Sequence, residues 1–178
     1  MTKLDLFFDP TKCFIGGRWV APVNGEYLPI ENPSTGAVIA QVPLSSADDV
    51  SAATRAAAIA FRSWREQPAA RRVQYLFRLA ERMRADEDRL CRILVSEMGK
   101  SLPDAHAEMK RAIENLEVAC GMPVLQQGDL LVGASAGMDG MVIREPIGVF
   151  AGIMPSWKAA GGAQLVAALS IRNPRTVW

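Results

Sequence analysis

The chain has 178 residues, 49% of them hydrophobic and 22% charged, with a formal net charge of +1. That length corresponds to about one domain and suffices for a sizeable core, which argues against a disordered chain. With no basic stripe or acidic tail, the sequence argues against nucleic acid or a membrane surface as partner.

The opening residues carry Asp5 and Asp9 and lack an apolar h-region, so no signal peptide is expected. Residues 12–43 read as short strands separated by turns. Phe14-Ile15-Gly16-Gly17-Arg18-Trp19-Val20 predicts a strand pair around a Gly-Gly turn. Glu31-Asn32-Pro33-Ser34-Thr35-Gly36 is a turn punctuated by Pro and Gly, and residues 37–42 return as a strand.

Four helices follow. Ser46-Ala47-Asp48-Asp49 has the spacing of a capping box. Behind it, Val50, Ala53, Ala57, Ala60, Phe61 and Trp64 recur at steps of three or four, which predicts one buried stripe. Pro68 opens a second helix, where its missing N–H costs nothing, with the stripe Val73, Leu76, Ala80 and Met83. Asp86 is the expected cap of a third helix, with Leu90, Ile93, Leu94 and Met98 inside and Gly99 just past its end. Ser101-Leu102-Pro103-Asp104 caps a fourth, whose stripe is Leu102, Ala105, Met109, Ala112 or Ile113, Leu116 and Ala119, closed by Gly121 and Pro123.

Residues 128–145 are Gly-rich with short apolar pairs and read as a hairpin. Ile147-Gly148-Val149-Phe150-Ala151-Gly152-Ile153 is a continuous apolar run ending at Pro155, the pattern of a parallel strand buried on both faces. Residues 156–178 show no clear period. No stretch of ~18 apolar residues occurs, so no transmembrane helix is expected.

Cys13, Cys91 and Cys120 are odd in number, widely spaced and without a C-x-x-C pairing, which argues against a disulfide framework or a zinc site. His106 is the single histidine, and with so few soft ligands a transition-metal site is not expected. A reducing cytoplasm is the simplest compartment.

Several of these pieces together resemble aldehyde dehydrogenases. Phe14-Ile15-Gly16-Gly17-Arg18-Trp19 followed by Glu31-Asn32-Pro33-Ser34-Thr35-Gly36 is similar to the family's opening strands, and Ser96-Glu97-Met98-Gly99-Lys100 with Asp104-Ala105 to its helical hinge. The run from Glu108 through Lys110, Arg111 and Asn115 to Glu117 resembles the methylmalonate-semialdehyde branch. So do Ala119-Cys120-Gly121-Met122-Pro123 and Arg144-Glu145-Pro146 with the apolar run behind it. The resemblance covers about residues 12–155. It implies an α/β fold, an N-terminal piece of the aldehyde dehydrogenase type: short strands, a helical layer, a hairpin and the first strand of a Rossmann-like sheet. In domain terms it implies a partial NAD-binding domain over residues 1–155, including an oligomerisation hairpin near 128–145, and a divergent tail over 156–178.

The resemblance also implies a reaction. Family enzymes attack an aldehyde with a cysteine thiolate and pass hydride to NAD. This branch then moves the acyl group to coenzyme A, and its methylmalonate-semialdehyde members lose the substrate carboxylate as CO2. Family members are well over twice this length, and their catalytic cysteine and general-base glutamate lie beyond the matched portion. Where they carry an oxyanion-binding asparagine in a Pro-Phe-Asn-Phe-Pro type motif, this chain reads Pro155-Ser156-Trp157-Lys158, with Trp157 at the asparagine position. The family's later Lys-Pro-Ser-Glu motif, whose lysine goes to the adenosine ribose, is missing; near the end the chain reads Arg172-Asn173-Pro174-Arg175, which does not align with it. The expectation is an incomplete, inactive member. Loss of resemblance at Ser156 points to a frameshift or internal deletion. The alternatives are a non-catalytic module, self-associating or joined to a full-length family member, and an enzyme completed by a partner chain.

For individual residues, the resemblance assigns Arg111 to the substrate carboxylate, a bidentate task suited to guanidinium. The competing reading is a surface charge, or a local pair with Glu108 or Glu114. Met154 and Ser156 align with positions whose backbones line the nicotinamide side. Gly148 and Gly152 permit close packing beside a cofactor, but no Gly-rich phosphate loop is present. No catalytic residue is assigned. Cys120 sits at a helix C-terminus, where the dipole disfavours a thiolate, and Cys91 lies among apolar neighbours. His106 has no acid or nucleophile identifiable beside it in sequence and reads as a solvated or core-edge histidine.

Overall fold

The structure is a computed structural model and describes residues 10–153. Its opening segment is two antiparallel hairpins. Strands β1 (Cys13–Ile15) and β2 (Arg18–Val20) pair across Gly16-Gly17, both at positive φ, as a two-residue turn of primed type requires. Phe14 faces Trp19 across the pair, ring centroids 4.9 Å apart. Strands β3 (Tyr27–Glu31) and β4 (Val38–Pro43) form the second hairpin, with a bulge beside Glu31. Its turn is built by buried Asn32, whose Oδ1 accepts the Ser34 N–H at 2.9 Å while its carbonyl accepts the Gly36 N–H at 2.8 Å.

Helix α1 (Ala47–Trp64) starts in the expected capping box: the Ser46 hydroxyl accepts the Asp49 N–H, and Asp49 Oδ2 accepts the Ser46 N–H at 2.8 Å. Asp49 also accepts the Val23 N–H at 3.1 Å, fastening the segment ahead of β3 to the helix start. Its carboxyl is held below its ordinary value chiefly by the Ser46 N–H. The Ser46 hydroxyl and the Val23 N–H add to this, and burial opposes it. The α1 stripe is narrower than its period implies. Ala57 is buried, but Val50 is 61% exposed and Ala60 also faces outward, because α1 packs on β1 and meets the helical core only near its end, through Trp64.

The core lies among α2 (Ala69–Ala85), α3 (Glu87–Met98) and α4 (Leu102–Cys120). Helix α4 packs against both others. Val73, Leu76, Ala80 and Met83 of α2 meet Ala105, Met109, Ala112, Ile113, Leu116 and Ala119 of α4, with Cys91 and Leu94 of α3 completing the cluster. Full burial of a leucine such as Leu116 contributes ~1.5–3 kcal/mol. Of the predicted α4 stripe, Leu102 alone is exposed; it sits in the first turn, ahead of the contact with α3.

Two cap expectations change. Asp86 precedes α3, but its side chain makes no cap bond; it accepts from Arg89 Nε at 2.8 Å instead. Gly121 ends α4 as expected, yet a further turn, α5 (Met122–Leu125), follows at once, since Pro123 occupies an initial position where no N–H is needed. Gly99 ends α3 with φ +68, and a Cβ there would lie 2.9 Å from Pro33 Cγ. The glycine thus lets the β3–β4 turn close onto the helix end. Ser101 caps α4 by accepting the Asp104 N–H at 3.2 Å.

Strands β5 (Leu130–Ser135) and β6 (Met138–Met141) form the predicted hairpin, and every β5 residue is exposed. The expected strand at residues 147–153 is absent. The segment has no regular structure, with Ile147 64% and Ile153 97% exposed. A parallel strand exists only through neighbours that satisfy its N–H and C=O groups, and none of the described strands pairs with it. No described helix is long and apolar enough to cross a membrane.

Candidate functional site

The polar cluster with most chemical capacity lies where α3 meets α4. Glu87 and Cys91 are four residues apart, so their side chains leave one face of α3. The α4 stripe, by turning Ala105 and Met109 into the core, sets His106 at the edge of that contact. The His106 Nδ1–H donates to Glu87 Oε1 at 2.8 Å, and Cys91 Sγ lies 3.6 Å from the same nitrogen. Asp88 Oδ1 stands 3.6 Å from Nε2. A cavity of about 460 Å³ borders the cluster, lined by residues 84–89 and His106.

His106 therefore has two acids and a thiol beside it, contrary to the sequence reading. The partners lie 15 to 19 residues away in the chain, so no local pattern shows them. The signal that could have found them was the Glu87/Cys91 spacing together with the only imidazole. The expectation against a metal site rested on the scarcity and wide spacing of soft ligands, and the fold removes the spacing.

The two buried thiols, Cys91 and Cys120, are poorly disposed to act as nucleophiles. Cys91 is fully buried, and burial first, then the charges of Glu87 and Asp88, push its thiol up. Burial likewise pushes up the Cys120 thiol, against a smaller opposing effect of Arg84. A nucleophilic cysteine needs the opposite shift.

Arg111 is exposed on α4 and makes no ion pair among the described residues. The local alternative is not formed: Glu108 is bound to Lys100 rather than to Arg111. Met154 and Ser156 lie outside the described residues. Around Gly148 there is nothing within 4 Å of an added Cβ, so no close packing uses that glycine. Another cavity, about 430 Å³ beside α1 and α2, is walled by Trp64, Tyr75, Arg71, Arg72 and Arg78 and has no acid or thiol in its lining.

Paired N-terminal hairpins, a capped helical layer and a projecting hairpin define an α/β fragment. Residues 19–160 match the model of the aldehyde dehydrogenase family, and the chain belongs to that family. A relative from Geobacillus thermodenitrificans (strain NG80-2), malonate-semialdehyde dehydrogenase 2, is 42% identical over 144 residues, 81% of this chain and 30% of the relative. Methylmalonate-semialdehyde dehydrogenase from Oceanimonas doudoroffii superposes with a TM-score of 0.88 at 32% identity, covering 94% of this chain and 34% of that one. A Sinorhizobium meliloti 1021 protein solved with NAD gives 0.87 at 30% identity, covering 96% and 35%. The chain thus spans about a third of the length of the relatives it matches, a fragment of their fold.

Proposed function

We propose that this chain is a portion of an NAD-dependent, coenzyme A-acylating malonate- or methylmalonate-semialdehyde dehydrogenase, and that it has no dehydrogenase activity alone. The whole-enzyme reaction in this reading oxidises the semialdehyde to an acyl-CoA with loss of CO2. The observation that carries the reading is 42% identity to a malonate-semialdehyde dehydrogenase over 144 residues that make up only 30% of that relative. Inactivity is supported by the two buried thiols, both shifted away from the thiolate form. Arg111, exposed and without an ion pair among the described residues, is the side chain we assign to the substrate carboxylate. Met154 and Ser156 remain assigned to the nicotinamide side by resemblance alone. The test is NADH formation from the purified chain with either semialdehyde, NAD and coenzyme A. None is expected, and steady turnover would refute the reading.

A second reading, a non-catalytic module that self-associates or joins a full-length family member, is favoured by one observation. The β5–β6 hairpin exposes Leu130, Leu131, Val132, Met138 and Met141 together. Co-expression with a full-length malonate-semialdehyde dehydrogenase should then give mixed oligomers on size-exclusion chromatography. Elution of the two chains apart would dismiss this partner.

A further inference from the structure

Zinc-type cations are held by a few soft and borderline side chains converging from a rigid scaffold. Two helices here supply one thiol, one imidazole and one carboxylate whose ligand atoms all lie within 4.8 Å of one another. We infer that Glu87 Oε1, Cys91 Sγ and His106 Nδ1 form a binding site for a zinc-type divalent cation, with a fourth position opening into the adjoining cavity.

Two of the three separations are close to what the task needs, and the third, Glu87 to Cys91, lies within 4.8 Å and must reach about 3.5 Å as the Glu87 side chain adjusts. Zn–N of ~2.0 Å and Zn–S of ~2.3 Å at a tetrahedral angle put nitrogen and sulfur about 3.5 Å apart. The observed distance is 3.6 Å. The same geometry puts imidazole nitrogen and carboxylate oxygen about 3.3 Å apart. The observed 2.8 Å is a hydrogen-bond length, so Glu87 must retreat by about 0.5 Å, and its partly exposed side chain leaves room for that. Asp88, 3.6 Å from Nε2, can hold the far side of the ring, the usual outer support of a ligating histidine. The cations on the cavity rim do not hold Glu87: Arg84 is bound to Glu117 and Arg89 to Asp86. The three ligands leave one tetrahedral position for water or a small anion, and the cavity gives it access. Since the metal must displace protons from the thiol and the imidazole, affinity should rise with pH. None of this depends on the dehydrogenase reading.

Cobalt(II) titration of the full chain is the test, because a thiolate on cobalt gives a near-ultraviolet charge-transfer band absent from oxygen or nitrogen ligation. The expected result is such a band, saturating at one cobalt per chain and abolished by one equivalent of zinc. Cys91→Ser should remove the band, and His106→Gln should weaken binding by more than ~10-fold. Cys13→Ser and Cys120→Ser should keep it. Circular dichroism checks that each variant holds its helices. Should Cys91→Ser fail to fold, His106→Gln and paramagnetically shifted proton signals from the single imidazole decide the matter. Cobalt binding without the band, no binding at all, a band that survives His106→Gln at full affinity, or a band lost with Cys13 or Cys120 would each overturn the assignment.

Discussion

Helices α2 to α4 bury Leu76, Cys91 and Leu116 almost completely, while the stretch from β5 to residue 153 leaves Leu130, Leu131, Val132, Ile147 and Ile153 facing outward. Both regions are rich in apolar residues. They differ in where their partners lie. Each helix presents its stripe to another helix of the same described layer, α2 and α3 both to α4, and caps such as Ser101 and Gly99 satisfy its ends locally. The later segment carries apolar residues whose backbone and side chains need strands and surfaces beyond those described. Apolar content thus does not make a core unless the pattern has a partner within the chain.

The comparison breaks most readily in the helical layer. Leu116→Ala should destabilise the chain by ~2–5 kcal/mol, enough to unfold a marginal domain, as read by chemical denaturation. Gly99→Ala should come next. Its left-handed backbone costs an L-residue ~1–2 kcal/mol, and the clash with Pro33 pushes the β3–β4 turn off the helix end. A smaller loss, ~1 kcal/mol, is expected for Ser46→Ala through the α1 cap. That cap also carries a pH signature. Asp49 has its carboxyl lowered in the folded state, so its contribution is present above the unfolded value. It should fade as pH falls below about 4. Asp49→Asn should flatten that acid limb of the thermal melt, and an unchanged limb would refute the assignment.

The smallest effect on stability belongs to the exposed segment. Leu131→Ser and Ile147→Ser should shift the denaturation midpoint by no more than about 0.5 kcal/mol. They should nevertheless reduce light scattering, because an exposed apolar hairpin invites association. A helical but self-associating wild type is the expected state. A monodisperse monomer would contradict it.

What was legible in the sequence follows the same division. The α2 stripe, the α4 stripe beyond Leu102, the Ser46 and Ser101 caps, the Gly99 stop and the Gly16-Gly17 turn are local, and the fold uses these as read. The 147–153 strand was misread because an apolar run reports a capacity for burial, not the presence of the strands that would bury it. Val50 and Ala60 were misjudged because periodicity cannot say how far a stripe extends past its partner's edge. Asp86 looked like a cap, but Arg89 one turn on competes for its carboxylate. The His106 cluster was invisible because proximity across a helix pair depends on how α3 and α4 pack, which no local window contains. Arg111 was legible as an arginine on α4, while the carboxylate it would meet is a matter of resemblance.

The chain folds around its helical layer as a member of the aldehyde dehydrogenase family, and the central proposal is that it has no dehydrogenase activity alone. NADH absorbance followed after mixing the purified, helical chain with malonate semialdehyde, NAD and coenzyme A tests it most directly. The account predicts no rate above the protein-free control. Steady NADH formation that disappears in Cys120→Ser would contradict it, since that thiol, buried and shifted upward, would then be acting as a nucleophile.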